Sequence, residues 1–114
     1  MVKSTASQLD RTFAALGDPT RRAIVAALAG GPRTVGELAG PLPMSLVAAS
    51  KHIGVLERAG LVSRARAGRT QVCRLRAGAL RDASHWLDAY RRFWTERLDA
   101  LEAFLDTEER TWTR

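Results

Sequence analysis

At 114 residues, 46% hydrophobic and 26% charged, the chain has ordinary globular composition and enough length for one domain with a real core. The net charge of +6 is unevenly divided: residues 1–77 hold twelve Lys/Arg against four acids (+8), and residues 78–114 hold six against eight (−2). A single cysteine, Cys73, excludes an intrachain disulfide and a multi-cysteine zinc knuckle, and two histidines far apart in sequence leave little for catalysis. No 18-residue apolar run is present, and the opening MVKSTASQLDR lacks the apolar middle of a signal peptide, so no membrane span is expected and the expected location is cytoplasmic.

In chain order, Leu9, Phe13 and Leu16 stand at i, i+4 and i+7, which predicts a first helix from Ser7 to the stop at Gly17. Asp18-Pro19 supplies an N-cap carboxylate and a proline at the first helical position, and the second helix should run through Ile24 and Leu28 to Gly30-Gly31-Pro32. Thr34 and Glu37 have capping-box spacing for a short third helix with Val35 and Leu38 inward, ending near Gly40-Pro41. Residues 42–44 make the turn.

Ser45 caps a fourth helix, 45–59, that stops at Gly60. Its two sides differ: Ala49, Ile53 and Leu56 form an apolar face, whereas Val47, Ser50, Lys51, Gly54 and Arg58 face roughly the other way. Gly54 costs about 1 kcal/mol of helix propensity relative to Ala, a loss that close approach to a binding partner or to a neighbouring helix would offset. LVSRARAGRTQVCRLR, residues 61–76, then reads as two strands around a tight turn at Ala67-Gly68-Arg69. Cys73 alternates with Gln71 and Leu75 and suits a small core position better than a redox sensor.

The last predicted helix, 78–106, repeats Leu80, Leu87, Trp94 and Leu101 every seven residues, with Ala83, Tyr90, Leu98 and Phe104 or Leu105 between them. At 1.5 Å per residue it spans roughly 43 Å, longer than so small a body can cover, so part of its apolar stripe needs another chain. The expected organisation is a single domain over 1–114. It comprises a body at 7–77 with a wing at 61–76, followed by the dimerisation helix. The fold class is mainly α with a small β-hairpin.

Two helices joined by a short turn, the second presenting small and basic residues near its N-terminus, have the shape to enter a DNA major groove. Ser50 and Lys51 can donate to base edges or phosphates, and Leu46 and Val47 can touch thymine methyls or simply pack. Arg69 at the hairpin tip, with Arg64, Arg66 and Arg74 on its strands, suits a wing that grips phosphates; solvated strand arginines are the plain alternative. Arg21 and Arg22 fit either a DNA-backbone contact or an ordinary structural place.

These residues together resemble the winged helix-turn-helix regulators of the ArsR (arsenical-resistance repressor) type. The matching pieces are Leu16 with Asp18-Pro19-Thr20-Arg21-Arg22, Glu37-Leu38-Ala39, Ser50-Lys51-His52, Leu56 through Ala59-Gly60-Leu61-Val62, and Gly68-Arg69, spread over residues 9–77. FWTERLDALEAF at 93–104 is similar to a branch of the family that does not bind metal. The resemblance implies a homodimer joined by its first and last helices, and the apolar faces of those helices give Leu9, Phe13, Leu87, Tyr90, Trp94, Leu98 and Leu101 as the expected interface residues. It also implies repression from a near-palindromic operator. Carried over by position, Ser45, Leu46, Val47, Ser50, Lys51 and His52 fall where members contact DNA, and Arg69 falls at the wing tip. Leu46 is often polar and Gly54 often charged in relatives, so the operator sequence does not transfer.

No cofactor is expected. Between Thr34 and Ser45 there is no Cys or His, so that family metal site is absent, and Asp82, His85 and Asp88 offer one imidazole per chain, which reads as a solvent-facing histidine beside acids. No nucleophile and base pair is visible among Cys73, His52 and His85, so an enzyme is not expected. The expected partners are double-stranded DNA and a second copy. The rival readings are a protein-interaction winged module and a nonspecific DNA-packaging protein.

Overall fold

The computed structural model describes residues 2–112, with side chains from 7 to 110. Helix α1 (Val2–Leu16) begins five residues before the expected Ser7, because nothing between Val2 and Ala6 breaks a helix. Its deepest face is Thr12 and Ala15, each 1% exposed, while Leu9 and Phe13 are only half-buried. The buried Thr12 hydroxyl is satisfied within the helix, donating to the Gln8 carbonyl at 3.0 Å.

Helix α2 (Pro19–Ala29) starts as its sequence requires, with the Asp18 carboxylate accepting from the Arg21 N–H at 3.0 Å. That N–H, more than any charge nearby, holds the Asp18 carboxyl below the usual carboxylate range. Arg21 and Arg22 turn back to the end of α1: Arg21 Nε and Nη2 donate to the carbonyls of Ala15 and Ala14, and Arg22 Nη1 to that of Leu16 at 2.8 Å. Two cations thus satisfy the orphan carbonyls where the helix dipole is negative.

A two-residue strand, β1 (Arg33–Thr34), precedes helix α3 (Val35–Ala39) and was not legible as a strand. The capping box is complete in both directions, Glu37 N–H to Thr34 Oγ1 at 3.1 Å and Thr34 N–H to Glu37 Oε1 at 3.0 Å, and the Thr34 N–H holds the Glu37 carboxyl below its ordinary range. Helix α4 (Leu46–Arg58) buries Ala49, Ile53 and Leu56 completely. It ends at Gly60 with φ of +77°: the Leu61 N–H bonds the Leu56 carbonyl and the Gly60 N–H that of Glu57, the pair of bonds that closes a helix through a left-handed residue.

Strands β2 (Val62–Ala67) and β3 (Thr70–Leu75) form the expected hairpin, and β1 adds to it antiparallel, giving the order β1-β3-β2. The pairing of Ala67 with Thr70 leaves Gly68-Arg69 as a two-residue turn, and Gly68 takes the positive φ, +64°, that such turns need. The core joins α1 to α4 and the hairpin through Ala15, Ile24, Leu28, Leu38, Ile53, Leu56, Leu61, Val62 and Cys73. Cys73 is fully buried, which pushes its thiol up.

Helix α5 (Ala77–Trp112) is 36 residues, about 54 Å long at 1.5 Å per residue. It runs past the expected end at 106 because Asp106-Thr107-Glu108-Glu109-Arg110 contains no breaker, and the Thr107 hydroxyl bonds back to the Ala103 carbonyl at 3.0 Å. Residues up to Ala83 pack as one compact unit, into which Ala79 and Ala83 of α5 are buried. Ser84 onward is a second unit, exposed at every residue to 110. No helix among the described residues is long and apolar enough to cross a membrane.

Candidate nucleic-acid interface

The N-terminus of α4 is fixed by Ser45, whose Oγ accepts from the Ala48 N–H at 3.1 Å. With Ala49, Ile53 and Leu56 anchored in the core, helical spacing forces the opposite face outward: Leu46 is 58% exposed, Val47 66%, and Lys51 lies one turn beyond Val47. Two adjacent apolar side chains are thus left in solvent at the start of a well-packed helix.

That surface faces a cleft of about 610 Å³. Its walls are Thr34, Val35 and Gly36 at the start of α3, Leu46, Val47, Ser50 and Lys51 on α4, and Arg66, Arg69, Thr70 and Gln71 on the wing. Among the described residues it carries three cations and no acid. Helix α4 and the wing thus bring together Leu46, Val47, Ser50, Lys51, Arg66 and Arg69, with Ser45 capping the helix beside them. Thr70 and Gln71 were not singled out from sequence as site residues. The signal was present in the two-residue turn, whose register sets Gln71 directly opposite Arg66.

Two expected contacts sit elsewhere. His52 turns to the start of α2, where Arg21 Nη1 lies 3.3 Å from its Nδ1 and Asp18 Oδ2 3.9 Å away. Arginine can only donate, so Nδ1 accepts there and the ring proton is assigned to Nε2. Arg64 is not a free strand arginine: its side chain is 17% exposed, with Nε and Nη2 on Glu57 Oε1 at 3.0 and 2.6 Å and Nη1 on Ser50 Oγ at 2.8 Å. The reason is alternation. Val62 points into the core, so Arg64, opposite buried Cys73, points the same way and must find partners beneath the sheet. Arg74, opposite Ser63, takes the other face and is exposed.

In the second unit the expected pairing residues are all open: Leu87 49%, Tyr90 48%, Trp94 55%, Leu98 58% and Leu101 51% exposed. The Trp86 and Tyr90 rings lie 4.5 Å apart, tilted by 38°, and Arg97 lies 4.1 Å over the Phe93 ring. Asp88 is paired with Arg91 at 3.1 Å, and among the described residues no group of three or more His, Cys, Asp or Glu is placed to hold a metal ion.

A helix-turn-helix followed by a basic β-hairpin defines a winged helix-turn-helix protein. The helix-turn-helix domain family matches residues 16–64. The HTH-type transcriptional regulator Rv2034 of Mycobacterium tuberculosis is 45% identical over 105 residues, 92% of this chain and 95% of that one. The transcriptional repressor SdpR of Bacillus subtilis is 33% identical over 69% of this chain and 88% of its own. Among solved structures, the ArsR family transcriptional regulator RHA00566 superposes with a TM-score of 0.73 at 38% identity, over 79% of this chain and 93% of that one. A Mycobacterium bovis protein described as a homodimeric winged helix-turn-helix DNA-binding domain gives 0.63 at 30% identity, over 84% and 86%. The chain belongs to the ArsR-type winged helix-turn-helix family and is a DNA-binding transcriptional regulator.

Proposed function

We propose that this protein is a homodimeric, sequence-specific repressor that sets α4 of each chain into one half of a near-palindromic operator. The acid-free cleft between α4 and the wing carries the reading. Ser45, Leu46, Val47, Ser50 and Lys51 meet the major groove, and Arg66 and Arg69 hold the flanking backbone. His52 and Arg64 support α4 from behind rather than touching DNA. Leu9 and Phe13 of α1, and the stripe Leu87, Tyr90, Trp94, Leu98 and Leu101 of α5, pair with a second copy. The exposed aromatic stripe and the homodimeric M. bovis relative support the pairing, and the SdpR name supports repression.

The test is selection of DNA fragments by the purified protein, followed by affinity measurements on selected and random DNA across a salt series. Half-sites about one helical turn, roughly 34–36 Å, apart are expected. Lys51→Ala lowers affinity for the selected site at least tenfold, the scale of a lost base contact. Equal affinity for random and selected DNA at every ionic strength refutes the proposal and favours nonspecific packaging.

A further inference from the structure

We infer that Arg64 is a positioning residue that sets the hydrogen-bonding polarity of Ser50, making Ser50 a reader of acceptor atoms on base edges. The inference rests on the DNA-binding reading of the α4 cleft.

Ser50, Gly54 and Glu57 stand at i, i+4 and i+7, one stripe of α4, and the Arg64 side chain lies along it from strand β2. Glu57 Oε1 receives both Nε and Nη2, which fixes the planar guanidinium in orientation as well as place. Nη1 is thereby aimed at Ser50 Oγ, 2.8 Å away. Gly54 leaves the stripe without a side chain between the two contacts; a Cβ there would come 3.8 Å from Arg64 Nη2.

A serine hydroxyl ordinarily both donates and accepts, and so reads no polarity. Here its neighbour is a cation with no lone pair, so at this contact Ser50 Oγ can only accept. The hydroxyl proton rotates away from Arg64; one of the two lone pairs is taken by Nη1, and the positive charge makes the remaining one a poorer acceptor and the O–H a better donor. Ser50 lines the cleft, so its proton is presented there. In a major groove the matching atoms are guanine N7 and O6, adenine N7 and thymine O4, whereas the cytosine N4 amino group offers only donors. The same pair of bonds ties the wing strand to α4, so the angle between the two DNA-facing elements is held by the residue that orients the reader.

The experiment uses the full chain and the half-site recovered by selection with the wild-type protein. Relative affinities for every single-base change are measured for wild type, Ser50→Ala, Arg64→Lys, Arg64→Ala, Glu57→Gln and the Ser50→Ala/Arg64→Lys double variant. A salt series is run for each, and circular dichroism checks the fold. The expected result is that Ser50→Ala loses a preference of about 5- to 100-fold at one base pair with the salt slope unchanged. Arg64→Lys, which keeps the charge without the fork, relaxes the same base pair, and the double variant matches Ser50→Ala alone. Glu57→Gln, which keeps an acceptor but loosens the guanidinium, gives an intermediate loss there. Uniform weakening by Ser50→Ala at all positions identifies a phosphate as its acceptor and overturns base reading. Unchanged preferences in the Arg64 and Glu57 variants overturn the positioning role. So does an Arg64→Ala salt slope shallower by about one, the mark of a direct phosphate contact. Failure of the wild type to select any sequence overturns the DNA-reading proposal itself, and is told apart because it precedes every variant.

Discussion

Gly54→Ala separates two reasons for a glycine in the middle of α4. If the glycine is there so that a partner's backbone can come close, a methyl group will obstruct it. The structure gives a milder setting: an added Cβ meets Arg58 Nη1 at 3.4 Å and Arg64 Nη2 at 3.8 Å. The first is the tip of an exposed, flexible side chain and the second is at ordinary contact distance. Alanine gains about 1 kcal/mol of helix propensity at an interior position, and shifting the Arg58 tip returns a few tenths. The net stabilisation is then about 0.5–1 kcal/mol. With a urea m-value of about 1.5 kcal/mol/M, the midpoint rises by about 0.3–0.7 M. The comparison is made at one protein concentration, since dimerisation links stability to concentration. Gly54 does not line the cleft, so affinity for the selected site stays within about twofold. A midpoint that falls refutes the packing argument. A midpoint that rises while DNA affinity drops tenfold refutes the orientation assigned to the stripe, because it means that DNA reaches α4 at Gly54.

Two further outcomes follow from the same structure. Asp18 has a folded-state pKa below its unfolded value, so its capping contribution is complete above about pH 5 and is lost as pH falls through the lowered value. Asp18→Asn therefore melts with a flatter dependence between about pH 5 and 2 than wild type, and superimposable profiles exclude a capping contribution from the carboxylate. Leu98→Asp puts a charge into the exposed stripe of α5, and sedimentation is expected to give monomers at micromolar concentration. Affinity for a two-half-site operator falls by 10²-fold or more as the second contact becomes independent; a dimer with unchanged affinity removes α5 from the interface.

The starts of α2, α3 and α4 were the most legible part of the fold, because each is a local chemical event; α1, with no cap to mark it, starts five residues before its expected Ser7. Asp18-Pro19, the Thr34/Glu37 box and Ser45 all bond as their spacing requires. The stops at Gly17, Gly30, Gly40 and Gly60 are equally local. What escaped was non-local. Two residues of β1 carry no period of their own and become a strand only because β3 has an edge to pair with. Within the site, Val47, Ser50 and Lys51 followed from the helical face alone, whereas Leu46 was left open between a contact and packing. Arg64 was grouped with Arg66 and Arg69 on composition, although alternation from buried Val62 already turned it inward. His52 depended on Arg21, which lies 31 residues earlier and is brought there by the α1–α2 turn; no spacing rule reaches that far.

The charge division between the halves of the chain overstates how much of the body is available to DNA. Of the twelve basic residues before residue 78, Arg21 and Arg22 are bonded to the carbonyls ending α1, and Arg64 to Glu57 and Ser50. Their role is to hold the α1–α2 turn and the wing at fixed angles to α4, which matters because base contacts demand accuracy that flexible phosphate contacts do not. The cleft itself presents Lys51, Arg66 and Arg69. If those three from each of two chains neutralise phosphates, log affinity falls with log salt with a slope of about −5, at roughly 0.9 per contact. If all twelve per chain did so, the slope would be near −20. A fluorescence titration from about 50 to 300 mM salt distinguishes these readily. A slope near −10 would bring exposed cations such as Arg74 into the contact surface and show that the wing lies flat on the duplex instead of gripping it by its tip.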